Sequence, residues 1–197
     1  MTNHGTPPRR PPGRPRSEEA RRAILEAAYN LLRKGGIASA SSDDIAKAAG
    51  VSKATLYRWW KTKEAIMLEA FFEKMRPVLP YEAKGSPLQA LRENVVRGAA
   101  WLNSEDGRLA VRIISEVYED PNMSRLFLEH FYLPRRALQI RLIKEAIQAG
   151  ELRRDTDPET LVDALQGPLY FRFQMGHAPV DKKFATKLVD LVLRAVT

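Results

Sequence analysis

Residues 42–65 read SDDIAKAAGVSKATLYRWWKTKEA, and this stretch limits the fold more than any other. Ser42 can cap a short helix through Ala48, with Asp43 and Asp44 at its positive end. Gly50 supplies a turn, and Ser52 can cap the helix that follows. Two short helices about three residues apart around a glycine have the spacing of a helix-turn-helix. Ile45, Ala46, Ala49, Val51 and Leu56 can pack the pair together, and the two small alanines permit close approach. The second helix also sets Tyr57, Trp59 and Trp60 among Lys53, Arg58, Lys61 and Lys63. Its surface must therefore serve apolar packing and positive charge at once.

The remaining pattern is helical as well. Ile24, Ala27, Ala28, Leu31 and Leu32 recur at helical spacing, with Ser17 as N-cap and Gly35-Gly36 as the stop. Thr62 can cap a helix whose Ile66, Met67, Ala70 and Phe71 face inward and which ends before Pro77. Leu88, Leu91, Val95 and Leu102 form one later stripe. Ala110, Ile113, Ile114, Val117 and Tyr118 form another, ended by Asp120-Pro121. Pro134 predicts a kink or break within residues 124–149. Asp157-Pro158 opens a helix that Gly167-Pro168 should bend. Asp181 begins the last helix, with Phe184, Leu188, Leu191, Val192 and Ala195 facing inward. No strand-like alternation with turn chemistry occurs, so the fold class is all-α.

Composition removes several kinds of chemistry. The 197 residues contain no cysteine, which excludes disulfides, thiolate metal sites and cysteine nucleophiles. His4, His130 and His177 lack the spacing of a metal-binding motif, so neither metal nor cofactor is expected. No window has the roughly 18 uninterrupted apolar residues of a membrane helix, and the N-terminus has no apolar signal segment. The expected place of action is the cytoplasm, away from any membrane. The net charge of +8 is unevenly spread: residues 1–74 hold 14 Lys and Arg against 8 Asp and Glu, the remainder 18 against 16. A polyanion, nucleic acid first among them, is the partner such an end attracts. A general solubilising charge is the other reading of the same fact.

The string DDIAKAAGVSKATLYRWWKTKEA, preceded by an amphipathic helix ending in Gly-Gly-Ile, resembles the DNA-binding domain of the TetR family of bacterial transcriptional regulators. The resemblance rests on IA, AGVS, LY, the aromatic three after that Tyr, and K-E at the start of the next helix. Departures are mild: Trp60 stands for the usual Phe, Ala65 for a common Glu and Ser41 for a frequent Thr. The resemblance implies a helix-turn-helix domain over residues 17–75 and a helical ligand-binding and dimerisation domain over 76–197; residues 1–16, with five prolines, four arginines and no acid, read by composition as a disordered basic arm.

A recognition helix lies in the major groove with its N-terminal residues nearest the base edges. Here that helix presents Lys53, Ala54, Thr55, Tyr57 and Arg58, with Leu56 turned inward. Lys53 can donate to guanine, and the methyls of Ala54 and Thr55 can pack on thymine. Tyr57, Arg58 and the Thr55 hydroxyl can reach phosphates, as can Ser42 and Lys63 near helix N-termini. The resemblance makes Trp60 a core residue, whereas Trp59 fits either a phosphate contact or cover for an apolar edge. In the arm, RRPPGRPR resembles an AT-hook core, so Arg14 and Arg16 either enter the minor groove or add nonspecific affinity.

The segment GELRRDTDPETLVDALQGPLYFRFQMGHAPVD is similar to the regulatory domain of one TetR subgroup. That similarity implies a homodimer paired through the last two helices, binding a palindromic double-stranded operator, with intramolecular core as the other reading of the final helix's apolar face. It also implies a small-molecule effector, of unknown identity, in a cavity lined by aromatic residues: Trp101, Tyr118, Phe127, Phe131, Tyr170 and Phe171 are the candidates, ordinary core being their other reading. The resulting expectation is a ligand-responsive repressor and not an enzyme, since no nucleophile–base pairing or phosphate-cradling glycine loop is present. A ligand-independent DNA-binding or architectural protein is the alternative.

Overall fold

The computed structural model describes residues 15–76 and 85–197, and every regular element among them is helical. Helix α1 spans Pro15–Gly35, α2 Ser42–Ala49, α3 Lys53–Tyr57 and α4 Lys63–Met75. A second group follows: α5 Pro87–Leu102, α6 Glu105–Val117, α7 Pro121–Phe127, α8 Leu133–Gln148, α9 Pro158–Met175 and α10 Lys182–Leu193.

Local chemistry sets most boundaries. Gly36 ends α1 with φ 85°, a left-handed value that a side chain resists. At the other end, α1 begins at Pro15, two residues before the cap expected at Ser17, so Arg16 stands in the helix's first turn. Residues 1–14, with Arg14 and most of the arm, lie outside the described residues. Ser41, and not Ser42, caps α2. Its hydroxyl accepts the Asp44 N–H at 3.2 Å while the Asp44 carboxylate accepts the Ser41 N–H at 2.8 Å. This reciprocal box needs an acid three residues after the serine, which Ser41 has and Ser42 lacks. Ser52, Thr62, Asp157 and Asp181 cap α3, α4, α9 and α10 as their sequence predicts.

At Pro134 the chain neither breaks nor continues as plain α-helix. A π turn, Leu128–Tyr132, joins α7 to α8. Proline has no N–H for an i→i−4 bond and its ring crowds the preceding turn, so the widened turn absorbs the mismatch. Helix α9, by contrast, runs through Gly167-Pro168 as one element.

Two apolar cores hold these helices. The first joins α1–α4 to α6, α7 and the π turn: Ile24, Leu32, Ile45, Leu56, Ile66 and Phe71 are fully buried with Ile113, and Phe127 and Phe131 close the cluster. The second joins α5, α8, α9 and α10 through Leu91, Val95, Leu142, Ile143, Leu169 and Leu193. Each such side chain withdrawn from water contributes about 1.5–3 kcal/mol. The N-terminal core thus reaches past residue 75 into α6 and α7, and Trp101 packs against both cores.

Three residues placed inward by periodicity face out. Tyr118 is 79% exposed, Leu191 is 67% exposed, and Ala195 lies on the surface beyond the end of α10. The buried face of α10 is Ala185, Leu188, Val189 and Leu193. Tyr118 follows the last residue of α6.

Candidate nucleic-acid interface

The turn between α2 and α3 is built on Gly50, whose φ of 66° places it in the left-handed region while its N–H bonds the carbonyls of Ala46 and Lys47. The Val51 N–H also reaches the Ala46 carbonyl, at 3.0 Å. These bonds fix the angle at which α3 leaves α2. On α3 the Ser52 hydroxyl accepts the Thr55 N–H at 3.3 Å and lies 2.9 Å from the Thr55 hydroxyl.

With its start so fixed, α3 sorts its side chains by depth. Leu56 is fully buried and Trp60 nearly so, whereas Lys53, Ala54, Tyr57, Arg58 and Trp59 are exposed and Thr55 is half-buried. Trp60 is held by more than packing. Its indole N–H donates to Glu69 on α4 at 2.5 Å, and the other oxygen of Glu69 accepts from Arg21 on α1. The end of the α3 segment is thereby tied to both long helices of its domain. Trp59, tilted at 37° to the Trp60 ring, lies 37% exposed and outside the first core, so the structure favours a surface role for it.

Four of the sequence-predicted contact residues are engaged within the protein. Lys63 donates to the Ile37 carbonyl at 2.8 Å and pairs with Glu64 at 3.2 Å. Lys53 pairs with Asp43 at 3.0 Å, and that carboxylate pushes the Lys53 ammonium up from its ordinary value, keeping it charged. The Ser42 hydroxyl, 8% exposed as a residue, lies 2.8 Å from the Tyr57 hydroxyl and so links the start of α2 to the outer face of α3. The result is a rigid, cation- and hydroxyl-bearing ridge standing on an apolar base, a shape and charge suited to the groove of a duplex.

A family model for bacterial regulatory proteins of the tetR family matches residues 24–70, and a second, for the tetracyclin repressor-like C-terminal domain, matches residues 82–192. The chain belongs to the TetR family. It is 34% identical over 184 residues to the HTH-type transcriptional regulator YdeS of Bacillus subtilis, covering 93% of each chain. Among solved structures, that of the TetR family transcription regulator SCO0332 superposes with a TM-score of 0.72 at 30% identity, over 91% of this chain and 99% of that one. The flavonoid-responsive regulator FrrA gives 0.70 at 26% identity, over 91% and 98%. As a TetR-family member the chain is a helix-turn-helix, DNA-binding transcriptional regulator, and the family is one of regulators, not of enzymes. No helix among its described residues is long and apolar enough to cross a membrane.

The aromatic residues that TetR resemblance offered for an effector site separate into two groups. Phe127 and Phe131 are buried with ring centroids 4.9 Å apart, both against Phe71 of α4, and Trp101 lies 5.9 Å from Phe131. Tyr170 is half-buried, and burial pushes its hydroxyl above its ordinary value. Tyr118 and Phe171, at 79% and 62% exposed, do not join an enclosed cluster in the single chain. Phe171 instead shares the outer surface with Met175, 63% exposed one turn further along α9.

Sequence reasoning missed the contacts that join the two halves. Tyr29 on α1 donates to Asp106 on α6 at 2.5 Å, Arg33 pairs with Glu105, and Glu116 accepts the backbone N–H of Ile37. Burial and the Asp106 carboxylate push the Tyr29 hydroxyl well above its ordinary range. Partners more than seventy residues apart leave no local signal in a single sequence.

Proposed function

We propose that this regulator is a ligand-responsive repressor that binds a palindromic operator as a homodimer, in the bacterial cytoplasm and on the nucleoid. The observation that carries the reading is the sorting of α3. Lys53, Ala54, Tyr57 and Arg58 are exposed above a fully buried Leu56 and a buried, hydrogen-bonded Trp60. Lys53 and the methyls of Ala54 and Thr55 read base edges, while Tyr57, Arg58, Ser42 and Lys63 meet phosphates. Arg14 and Arg16 extend the contact from the N-terminal side.

Dimerisation uses α9 and α10. Phe171, Met175 and Leu191 are large apolar side chains left 62–67% exposed on these two helices, and a second copy supplies the cover they lack. Response to a small molecule is supported by the aromatic cluster of Phe127 and Phe131 in the first core with Trp101, which packs on both cores, and by the name of the similar regulator FrrA.

The test is a binding titration on the duplex upstream of the protein's own gene. Wild type is expected to shift a palindromic site, and Lys53→Ala with Thr55→Ala to bind it no better than unrelated DNA. Equal affinity of the wild type for both duplexes rejects sequence-specific repression in favour of an architectural role.

A further inference from the structure

The last turn of α1 and one face of α6 flank an open cleft of about 690 Å³ at the seam between the two halves of the chain. Its walls are cationic. Arg33 and Lys34 close α1, and Arg108 and Arg112 stand one turn apart on α6, beside a buried Leu109 that lines the floor. All four cations are exposed to solvent. Two contacts hold the walls in place: Arg33 pairs with Glu105, and Tyr29 donates to Asp106 at 2.5 Å. Glu105 is the one carboxylate among the described residues that line the cleft, so four cations face a single acid.

Most of these cations hold nothing together. The side chains of Lys34 and Arg112 make no hydrogen bond or ion pair among the described residues, and that of Arg108 donates only to the Asn103 carbonyl. The negative C-terminal end of α1 gives Arg33 and Lys34 a structural reason for their place. Arg108 has the opposite setting. It is the fourth residue of α6, close to that helix's positive end, and Arg112 repels it from one turn further on. Like charges gathered along a concave wall raise the local potential and concentrate anions there.

We propose that the cleft between α1 and α6 binds a small molecule bearing two or more phosphate groups. With Arg33 answering Glu105, the charges of Lys34, Arg108 and Arg112 remain, and two phosphates at roughly −1.5 to −2 each near pH 7 offset them. The α6 guanidinium forks take phosphate oxygens in pairs, and Lys34 meets them as a point charge from α1. Asn30 offers its amide to an uncharged body. The volume is that of a small-molecule site, and a concavity suits such a ligand better than a duplex, which the ridge on α3 fits. The site is separate from the aromatic cluster offered for an effector and stands without that reading. Because its walls belong to both halves, an occupant bridges them.

The probe is sodium tripolyphosphate, titrated calorimetrically into the full-length protein at low salt without divalent cations, beside ATP, citrate and uncharged adenosine. Lys34→Gln with Arg112→Gln breaks no contact among the described residues and is expected to weaken tripolyphosphate roughly tenfold or more. Lys53→Ala with Arg58→Ala, on the face proposed to meet DNA, should bind it as wild type does. Tripolyphosphate at a hundredfold excess over its dissociation constant should raise the melting temperature of wild type by about 5 °C, and that of the cleft variant by less. Circular dichroism reports that the variants are folded. Should the cleft variant fail that control, Arg108→Gln alone must weaken tripolyphosphate. Tighter binding of ATP than of tripolyphosphate upholds the site as one for a nucleotide, and the reverse upholds it as one for a bare polyphosphate. Equal affinity of tripolyphosphate for wild type and cleft variant overturns the proposal, as does citrate or adenosine binding as tightly as the phosphates. A cleft variant that loses operator affinity yet keeps tripolyphosphate assigns these cations to duplex DNA and overturns it too.

Discussion

The Glu116 carboxylate on α6 accepts the backbone N–H of Ile37 at 2.5 Å, in the turn between α1 and α2. The close approach is allowed by Gly36, where an added Cβ would stand 2.0 Å from a Glu116 oxygen. Glu116→Ala leaves that N–H without its acceptor and is expected to cost about 1–3 kcal/mol. Urea denaturation measures it, and an unchanged midpoint would show the bond to be dispensable.

Asp43 holds the ammonium of Lys53 at 3.0 Å on the face proposed to meet DNA. Asp43→Asn frees the cation and removes a negative charge facing phosphates. Operator affinity is expected to rise roughly threefold or more at low salt, with a steeper loss as salt is added. Fluorescence anisotropy across a salt series checks both effects.

Leu56 supports α3 from beneath and is fully buried. Leu56→Ala should destabilise the chain by about 2–5 kcal/mol. Operator binding should fall with it at temperatures where most molecules remain folded. Normal binding together with lowered stability would mean that the ridge keeps its shape without this support.

Phe171 and Leu191 are proposed to lie in the dimer interface. Phe171→Asp with Leu191→Asp should convert a dimer to a monomer in sedimentation velocity, because burying two carboxylates against their own copies is costly. Binding to a full palindrome should weaken, while binding to an isolated half-site should not. A dimer that persists in the double variant would place the interface elsewhere.

The Ser41 hydroxyl and N–H bonds hold the Asp44 carboxylate below its ordinary value. A carboxylate whose folded value is depressed adds stability above its unfolded value and loses it as pH falls through the folded one. The melting temperature of Asp44→Ala should therefore lie below wild type at pH 7 and approach it near pH 3. A gap that is constant with pH would assign the cap to other groups.

Much of the DNA-binding half was legible because its determinants are local. Caps lie three residues from the groups they bond, Gly50 makes its own turn, and the helical period assigns Leu56 inward and Lys53 and Arg58 outward. The choice between Ser41 and Ser42 was legible too, once the acid three residues on is counted. At Pro134 the sequence required some departure from α-helix but left its form open, since several geometries relieve the same clash.

Sequence by itself therefore determined an all-α chain, the helix-turn-helix and the side of each short helix, since period and capping are properties of neighbouring residues. Only the tertiary structure decided that α6 and α7 share the first core, that Tyr118 and Leu191 face out, and that Arg136, unlike its neighbour Arg135 among the described residues, pairs with two carboxylates of α9. A stripe on a helix fixes an angle about that helix's own axis. What stands opposite depends on packing between segments far apart in the chain, as between Glu116 and Ile37, and no local pattern encodes it.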